Sequence, residues 1–399
     1  MDDRNRKLRV AHIITQLELG GAQRNTLYTV GHLNRDSYEP ILITGPNGLL
    51  DEEAKAASWP THFVRFLVRP IRPIKDVIAF VSIYRLLRRL KPHIVHTHSS
   101  KAGILGRIAA YFAGVPVILH TFHGFGFTPE QPSLVRRLFL FLERFCARLS
   151  THLIFVSKDN EEEAQTLGIA GSRPHSLIRS GIVFEKPAAA DIRKELNLPN
   201  EAWLVSTVGN FKPQKNPMDL ARTAKAVLAQ SADIHFLLVG DGEQRASLER
   251  YIGSEGIAQN VHLLGWRHDA PQILAASDCF LLTSLWEGLP RALVEAALAG
   301  LPSVAYSVNG VKDILIEGET GFPVPPHDTA AAAEKILWIK NHPAEARKFA
   351  QKARTRVENE FDIDKMVRQQ EDLYQKLYEA VPLKNYYEPL WTISTKTEE

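Results

Sequence analysis

A chain of 399 residues with 45% hydrophobic content has material for two cored domains, because one domain takes roughly 100 to 200 residues; a single small module is excluded. The formal net charge of +3 hides an asymmetry, since residues 1–180 carry +9 and the remainder −6; no nucleic-acid-binding motif accompanies the basic half, so no nucleic-acid partner is expected. Cys146 and Cys279 have neither C-x-x-C nor metal-type spacing and read as buried thiols in a reducing compartment.

The opening MDDRNRKLRVAHIIT has no apolar segment of secretory type before a strand begins, so a cytoplasmic chain is expected. After the strand LRVAHIIT comes ELGGAQRNTLYTV, in which Gly20 and Gly21 let backbone amides approach an anion at a helix N-terminus. Two glycines are a weak signal. The spacing is neither G-x-G-x-x-G nor a P-loop, and no acidic residue is placed for a dinucleotide ribose, which disfavours a nicotinamide site. Strand-like EPILITG follows, then the basic stretch Val64 to Lys91, then HIVHTHS and PVILHTFH. Ile108 to Pro129 holds no Asp, Glu, Lys or Arg over a near-bilayer length of ~20 residues. Gly114, Pro116, His120, His123, Gly124 and Gly126 break it into helix end, strand and loop, so no membrane span is expected. In HTFHGFGF, His123 can bond a ligand or be a satisfied, partly buried histidine, the commoner case. Ser133 to Leu149 mixes arginines with Leu and Phe; such a helix can lie on an anionic membrane or pack with a solvated basic face. HLIFVS and PHSLIRSG complete the first series.

The polar stretch Val183 to Ala202 suits a linker, and a second alternation follows in WLVSTVG, IHFLLVGDG, VHLLGW, DCFLLTS and PSVAYS. Two runs of βαβ units imply two mostly parallel, doubly wound sheets. In STVGNFKPQKNPMDL a strand ends at Gly209 and a helix starts near Pro217, with Lys212 and Lys215 in the loop, where a lysine can neutralise a diphosphate or simply be solvated. Gly240, Asp241 and Gly242 form a tight turn after the next strand. The alanine-rich PRALVEAALAG has Pro290 for a first turn and Gly300 for a stop, which places Glu287 in a loop beyond a strand end and Glu295 on the helix. Ligands of open parallel sheets bind in that crevice. Taken alone, the pair is read slightly more readily as a dipole-complementing charge at Glu287 and a solvated helix charge at Glu295. Asp362 to Asp364 reads as a helix cap before a terminal helix rather than a metal motif, and no metal site is expected.

These segments together resemble the retaining glycosyltransferases of family 4, whose GT-B fold pairs two Rossmann-like domains around an interdomain cleft. The resemblance runs from GGAQ through HTHSSKAGILGR, HTFHGFGF, KPQKNP and VGDGEQR to LLGWRHDAPQILAASDCFLLTSLWEGLPRALVEA, and is most specific in the E-x7-E pair Glu287 and Glu295. It implies that Glu295 accepts hydrogen bonds from the nucleotide ribose and that Glu287 meets the donor sugar. Leu289, Pro290 and Arg291, with Lys215, Gly20 and Gly21, would face the diphosphate, and His123 would lie near the reaction centre. Gly209, Asn210 and Gly240 belong to the donor side, and the GWRHD loop with Arg267 would cradle the base, largely through its backbone. Asn210 stands where many relatives place an arginine.

The resemblance further implies an N-terminal acceptor-side domain (1–183), a linker (184–202), a nucleotide-sugar domain (203–360), a helix (361–381) packing back toward the first domain, and a tail (382–399). The implied substrates are a nucleotide sugar, with UDP preferred, and a lipid-linked or saccharide acceptor used in cell-surface polysaccharide synthesis at the inner membrane face. The nucleotide sugar is a substrate, and no cofactor is expected. A GT-B nucleotide-sugar 2-epimerase and a non-catalytic sugar-nucleotide-binding scaffold are the alternatives.

Overall fold

A computed structural model describes residues 7–126, 131–183 and 188–381; the tail at 382–399 lies outside the described residues. The chain divides into two units, residues 1–181 with 363–399, and residues 182–362.

The first unit runs β1 (Leu8–Gln16), α1 (Gly21–His32), β2 (Tyr38–Gly45), α2 (Asp51–Ala56), β3 (Thr61–Phe63), α3 (Pro73–Leu90), β4 (Ile94–His98), α4 (Ser100–Ala113), β5 (Val117–Phe122), α5 (Ser133–Leu149), β6 (His152–Phe155), α6 (Lys158–Thr166) and β7 (His175–Leu177). The strands stand in the order β3-β2-β1-β4-β5-β6-β7, and every pairing is parallel. Helices cover both faces, so β1, β4 and β5 are buried almost throughout, which explains their continuous apolar runs. Strand order reverses beside β1, and the crevice of a doubly wound sheet opens there, at the carboxyl ends of β1 and β4.

The second unit repeats the scheme with α7 (Ile192–Glu195), β8 (Trp203–Val208), α8 (Pro217–Leu228), β9 (Ile234–Val239), α9 (Arg245–Ser254), β10 (Val261–Gly265), α10 (Ala270–Ala275), β11 (Cys279–Leu282), α11 (Arg291–Leu298), β12 (Ser303–Tyr306), β13 (Phe322–Val324), α12 (Thr329–Asn341) and α13 (Pro343–Glu360). Its order is β10-β9-β8-β11-β12-β13, again parallel, with the reversal between β8 and β11. Both units are therefore Rossmann-like. Residues 190–202, expected to be linker, are part of this unit. Ile192 and Ala202 are buried with Leu204, Leu237 and Ile273, and the Ala190 amide donates to the Gln272 carbonyl at 3.0 Å. The polar composition hid them because few apolar residues, Ile192, Leu196 and Leu198 among them, carry the contact.

The chain re-enters the first unit in α14 (Ile363–Glu379), whose Ile363, Met366, Val367, Leu373 and Tyr374 pack with Val10, Ile94, Val117 and Leu119 of the sheet. Gly181 abuts the start of this helix so closely that a Cβ there would lie 2.2 Å from the Ile363 Cα. Asp364 accepts a hydrogen bond from the Tyr28 hydroxyl at 2.8 Å. Cys146 and Cys279 are free and buried.

On α3 and α5 the buried stripe is narrow. Ala79, Ile83 and Leu87 of α3 and Glu143, Cys146 and Ala147 of α5 face inward. Arg107 of α4 reaches Glu143 as a buried ion pair. The solvent side of α5 is apolar as well as basic: Leu134 is 78% exposed, Leu138 56%, Phe141 63% and Phe145 42%. Among the described residues no helix is long and apolar enough to cross a membrane.

Candidate functional site

The switch point of the second sheet is built from two loops that hold each other. After β8, the loop 209–216 lies at the carboxyl ends of the central strands, with Phe211 buried as its anchor and its amide donating to the Asp241 carbonyl at 2.9 Å. Gly240 lies beneath that loop with φ +141°, and a Cβ on it would fall 1.9 Å from the Gly209 carbonyl oxygen, so no other residue fits. Hydrogen bonds tie the loop after β11 to the first. The Thr283 hydroxyl donates to the carbonyls of Lys215 (3.1 Å) and Asn216 (3.0 Å), the Leu285 amide to Gln214 (2.8 Å), and the Gln214 side-chain amide to Trp286 (2.9 Å).

Fixed backbones then bring two side chains together. Lys215 runs its stem over Gly209 and sets its Nζ 2.5 Å from Glu287 Oε1, with Glu287 only 9% exposed. Glu287 is thus held in a largely buried ion pair and does more than complement the dipole of the following helix. Two largely desolvated charges persist at such a site because each compensates the other. Glu295, one turn into α11, is half-buried, with Arg291 Nη2 3.9 Å from its Oε1. Burial pushes its carboxyl upward, while Arg291 and Lys215 pull it down. Lys215 is thus ion-paired with Glu287 and close enough to act electrostatically on Glu295. Pro290 caps α11 with no side-chain hydrogen bond, and the Leu293 amide reaches back to its carbonyl at 2.9 Å, so the positive end of the helix lies at Leu289 to Arg291, in the loop that carries Glu287. Asn210 is half-buried in the first loop, where its carbonyl accepts from the Lys212 amide at 3.0 Å.

Arg267 stands apart from this group. Its guanidinium is held by Asp269 at 2.7 Å and by both oxygens of Glu195 at 2.6 and 3.0 Å, which raises its basicity. Sequence reading missed Asp219, at the start of α8. Burial alone would raise its carboxyl, yet hydrogen bonds from Arg222, Asn216, His327 and Tyr306 hold it below the usual range and pin α8 behind the Lys215 loop.

In the first unit, Gly20 precedes α1 in extended conformation and Gly21 begins the helix, without a side-chain cap. His123 follows β5 and is half-buried, its pKa pushed down to about 4 by desolvation. It does not stand alone, because His98 lies 3.2 Å away and His12 lies 3.1 Å beyond that. The sequence signal was the His96/His98 alternation, which puts both rings on one face of β4; that His12 of β1 pairs in register with His96 was not readable. Among the described residues, His12, His96 and His98 bring ligand nitrogens within 4.8 Å of one another. His96 already bonds the Tyr374 hydroxyl at 2.6 Å and Thr121 at 2.7 Å, and His98 bonds on both sides, so a cation would have to displace several protein partners.

Comparison with known proteins follows the two units. Residues 19–182 match the family described as Glycosyltransferase Family 4, and residues 189–356 match Glycosyl transferases group 1. Over 387 residues, 94% of this chain and 98% of the relative, the sequence is 35% identical to the UDP-Gal:alpha-D-GlcNAc-diphosphoundecaprenol alpha-1,3-galactosyltransferase of Escherichia coli. It is 25% identical to the capsular polysaccharide biosynthesis glycosyltransferase CapM of Staphylococcus aureus, covering 77% of this chain and 82% of that protein. The fold is shared with HepE of Anabaena, solved with UDP and glucose, at a TM-score of 0.77 and 20% identity over 92% of this chain and 99% of that one. A sucrose-phosphate synthase of Thermosynechococcus elongatus gives 0.79 at 22% identity over 94% and 100%.

Proposed function

Because this chain belongs to glycosyltransferase family 4, it is a glycosyltransferase, and we propose that it moves a hexose with retention from a UDP-sugar to a hydroxyl of a polyprenyl-diphosphate-linked saccharide in cell-surface polysaccharide assembly. The observation that carries the donor site is the Lys215–Glu287 pair at the reversal of the second sheet, with Glu295 on the helix that follows. When the donor binds, its diphosphate replaces Glu287 as the partner of Lys215, and sugar hydroxyls replace Lys215 as the partner of Glu287. Glu295, an acceptor with two oxygens, takes the vicinal ribose hydroxyls. The α11 N-terminus at Leu289 to Arg291, with the Gly209–Asn210 turn, adds backbone dipoles to the diphosphate. The Gly240 turn supports that loop, and the backbone beside Arg267 frames the base. Gly20, Gly21 and His123 are assigned to the diphosphate and the sugar by family position.

In the reaction the bond from the anomeric carbon to the diphosphate oxygen breaks, and the acceptor oxygen forms its bond on the same face. The acceptor proton passes to the leaving phosphate. Stabilising that leaving group is the largest demand on the protein, and Lys215 meets it. The Escherichia coli relative supports a lipid-linked acceptor and makes UDP-galactose the first donor to try. The apolar, arginine-flanked face of α5 supports a place for the chain at the anionic inner surface of the cell membrane.

The test incubates the protein with UDP-galactose, UDP-glucose or UDP-GlcNAc and a short-chain polyprenyl-diphosphate GlcNAc, with Glu295→Ala beside it. Acceptor-dependent release of UDP, lost in the variant, is the expected result. Conversion of the donor without acceptor identifies an epimerase instead. Donor binding with neither reaction identifies a scaffold.

A further inference from the structure

His12 of β1, His98 of β4 and His123 just after β5 form a hydrogen-bonded chain in the first unit. His12 Nδ1 lies 3.1 Å from His98 Nε2, His98 Nδ1 3.2 Å from His123 Nε2, and His123 Nδ1 3.5 Å from Ser180 Oγ. Desolvation lowers His12 to about 3, His123 to about 4 and His98 well below its ordinary value, so at neutral pH each ring carries a single N–H. A neutral imidazole donates from one nitrogen and accepts at the other. The two internal hydrogen bonds therefore couple the three tautomers. Either every ring is protonated on Nδ1 and donates toward Ser180, or every ring is protonated on Nε2 and donates toward His12.

The far end of the chain distinguishes these states. His12 is fully buried, and its Nε2 has no hydrogen-bond partner among the described residues. Protonation throughout on Nε2 would leave an orphaned buried N–H there, whereas protonation on Nδ1 leaves only a bare lone pair; unpaired buried donors are the rarer and costlier defect. His96 cannot relieve it, because both of its nitrogens are engaged by Tyr374 and Thr121.

We propose that His12 and His98 are positioning residues that lock His123 as a neutral donor through Nδ1, with its Nε2 lone pair occupied by His98. The long contact to Ser180 is one that a ligand oxygen can take over, and His123 and Ser180 line a small cavity with Asn25, Thr29, Thr121 and Gln370. The ligand class is a hydroxyl-bearing one. Its identification with the donor sugar rests on the function proposed above. His123 then serves that reaction as a hydrogen-bond donor and does not act as a base.

The lock is read in the full chain labelled with 15N-histidine, where two-bond 1H–15N spectra separate the tautomers; His123→Asn assigns the signal. His123 protonated on Nδ1 at neutral pH is expected, and protonation on Nε2 overturns the proposal. In His98→Asn, whose side-chain amide can replace the Nδ1–H, His123 should keep its tautomer and most of its turnover. In His98→Leu the preference should be lost and kcat should fall about tenfold, the worth of one good neutral hydrogen bond. An unchanged tautomer in His98→Leu also overturns it. If that variant does not fold, the wild-type and His98→Asn spectra still decide. The Nδ1–H signature in a protein that transfers no sugar rejects the proposed function and leaves the lock standing.

Discussion

Lys215 and Glu287 compensate each other inside a mostly buried pair, so removing the lysine does two things at once. It takes away the charge assigned to the leaving diphosphate, and it strands a carboxylate that is 9% exposed. Lys215→Ala should therefore lose about 3 kcal/mol of transition-state stabilisation, a factor of roughly a hundred in kcat, and some folding stability as well. The double variant Lys215→Ala/Glu287→Gln separates the effects. Urea unfolding should return close to wild type because no stranded charge remains, while kcat stays low; joint recovery of both would show the pair to be structural only. Glu295 supplies a pH prediction. Burial raises its carboxyl, so it protonates at higher pH than an ordinary glutamate, and a protonated carboxyl has lost acceptor capacity toward ribose hydroxyls. UDP affinity measured by calorimetry should weaken as pH falls through that raised value. Glu295→Gln should bind more weakly and show little of this dependence.

At the scale of elements, α5 is the informative helix. Its apolar residues at 134, 138, 141 and 145 recur every three or four positions, a pattern ordinarily hidden against a core, but here they face solvent while a short stripe with Cys146 and Ala147 faces inward. Arg136, Arg137, Arg144 and Arg148 lie on the same helix, and each surface arginine contributes about 1 kcal/mol to binding an anionic bilayer. Leu138→Glu with Phe141→Glu should abolish co-sedimentation with phosphatidylglycerol vesicles at physiological salt and leave the thermal midpoint unchanged, because both side chains are exposed. Equal sedimentation of the variant would place membrane contact elsewhere. Sequence periodicity identified the helix but could not say which of its faces is covered, since that depends on the ion pair from Glu143 to Arg107 of α4.

At the scale of the whole molecule, the buried histidines make the fold acid-sensitive. The folded chain holds His12 neutral down to about pH 3 and His123 to about pH 4, whereas the unfolded chain protonates both near 6.5. Between those values the unfolded state binds more protons, so stability falls as pH falls, and below them the loss levels off. His12 alone contributes a loss of about 2 kcal/mol between pH 6.5 and 5. The urea midpoint should drop steeply over that interval, and a flat profile would mean that these rings admit protons without unfolding. The effect draws in α14 too, because His96 bonds Tyr374 across 278 positions of sequence.

Residue order by itself determined the two parallel sheets, since alternating apolar runs and amphipathic helices leave few other ways to bury β-rich segments, and it placed Lys215 and Glu287 in loops after strands and Glu295 on the following helix; the resemblance to family 4 is what made them site candidates. Tertiary structure decided which of those meet. Glu287 and Lys215 are 72 positions apart and became a pair only because β8 and β11 are neighbours at the switch point. It also decided that Arg267 spends its charge on Glu195 and Asp269, that 190–202 belong to a core, and that His12, His98 and His123 form one chain. Periodicity is local and is carried by each segment. Pairing, register and burial are relations between segments, and they exist only once the sheet has formed.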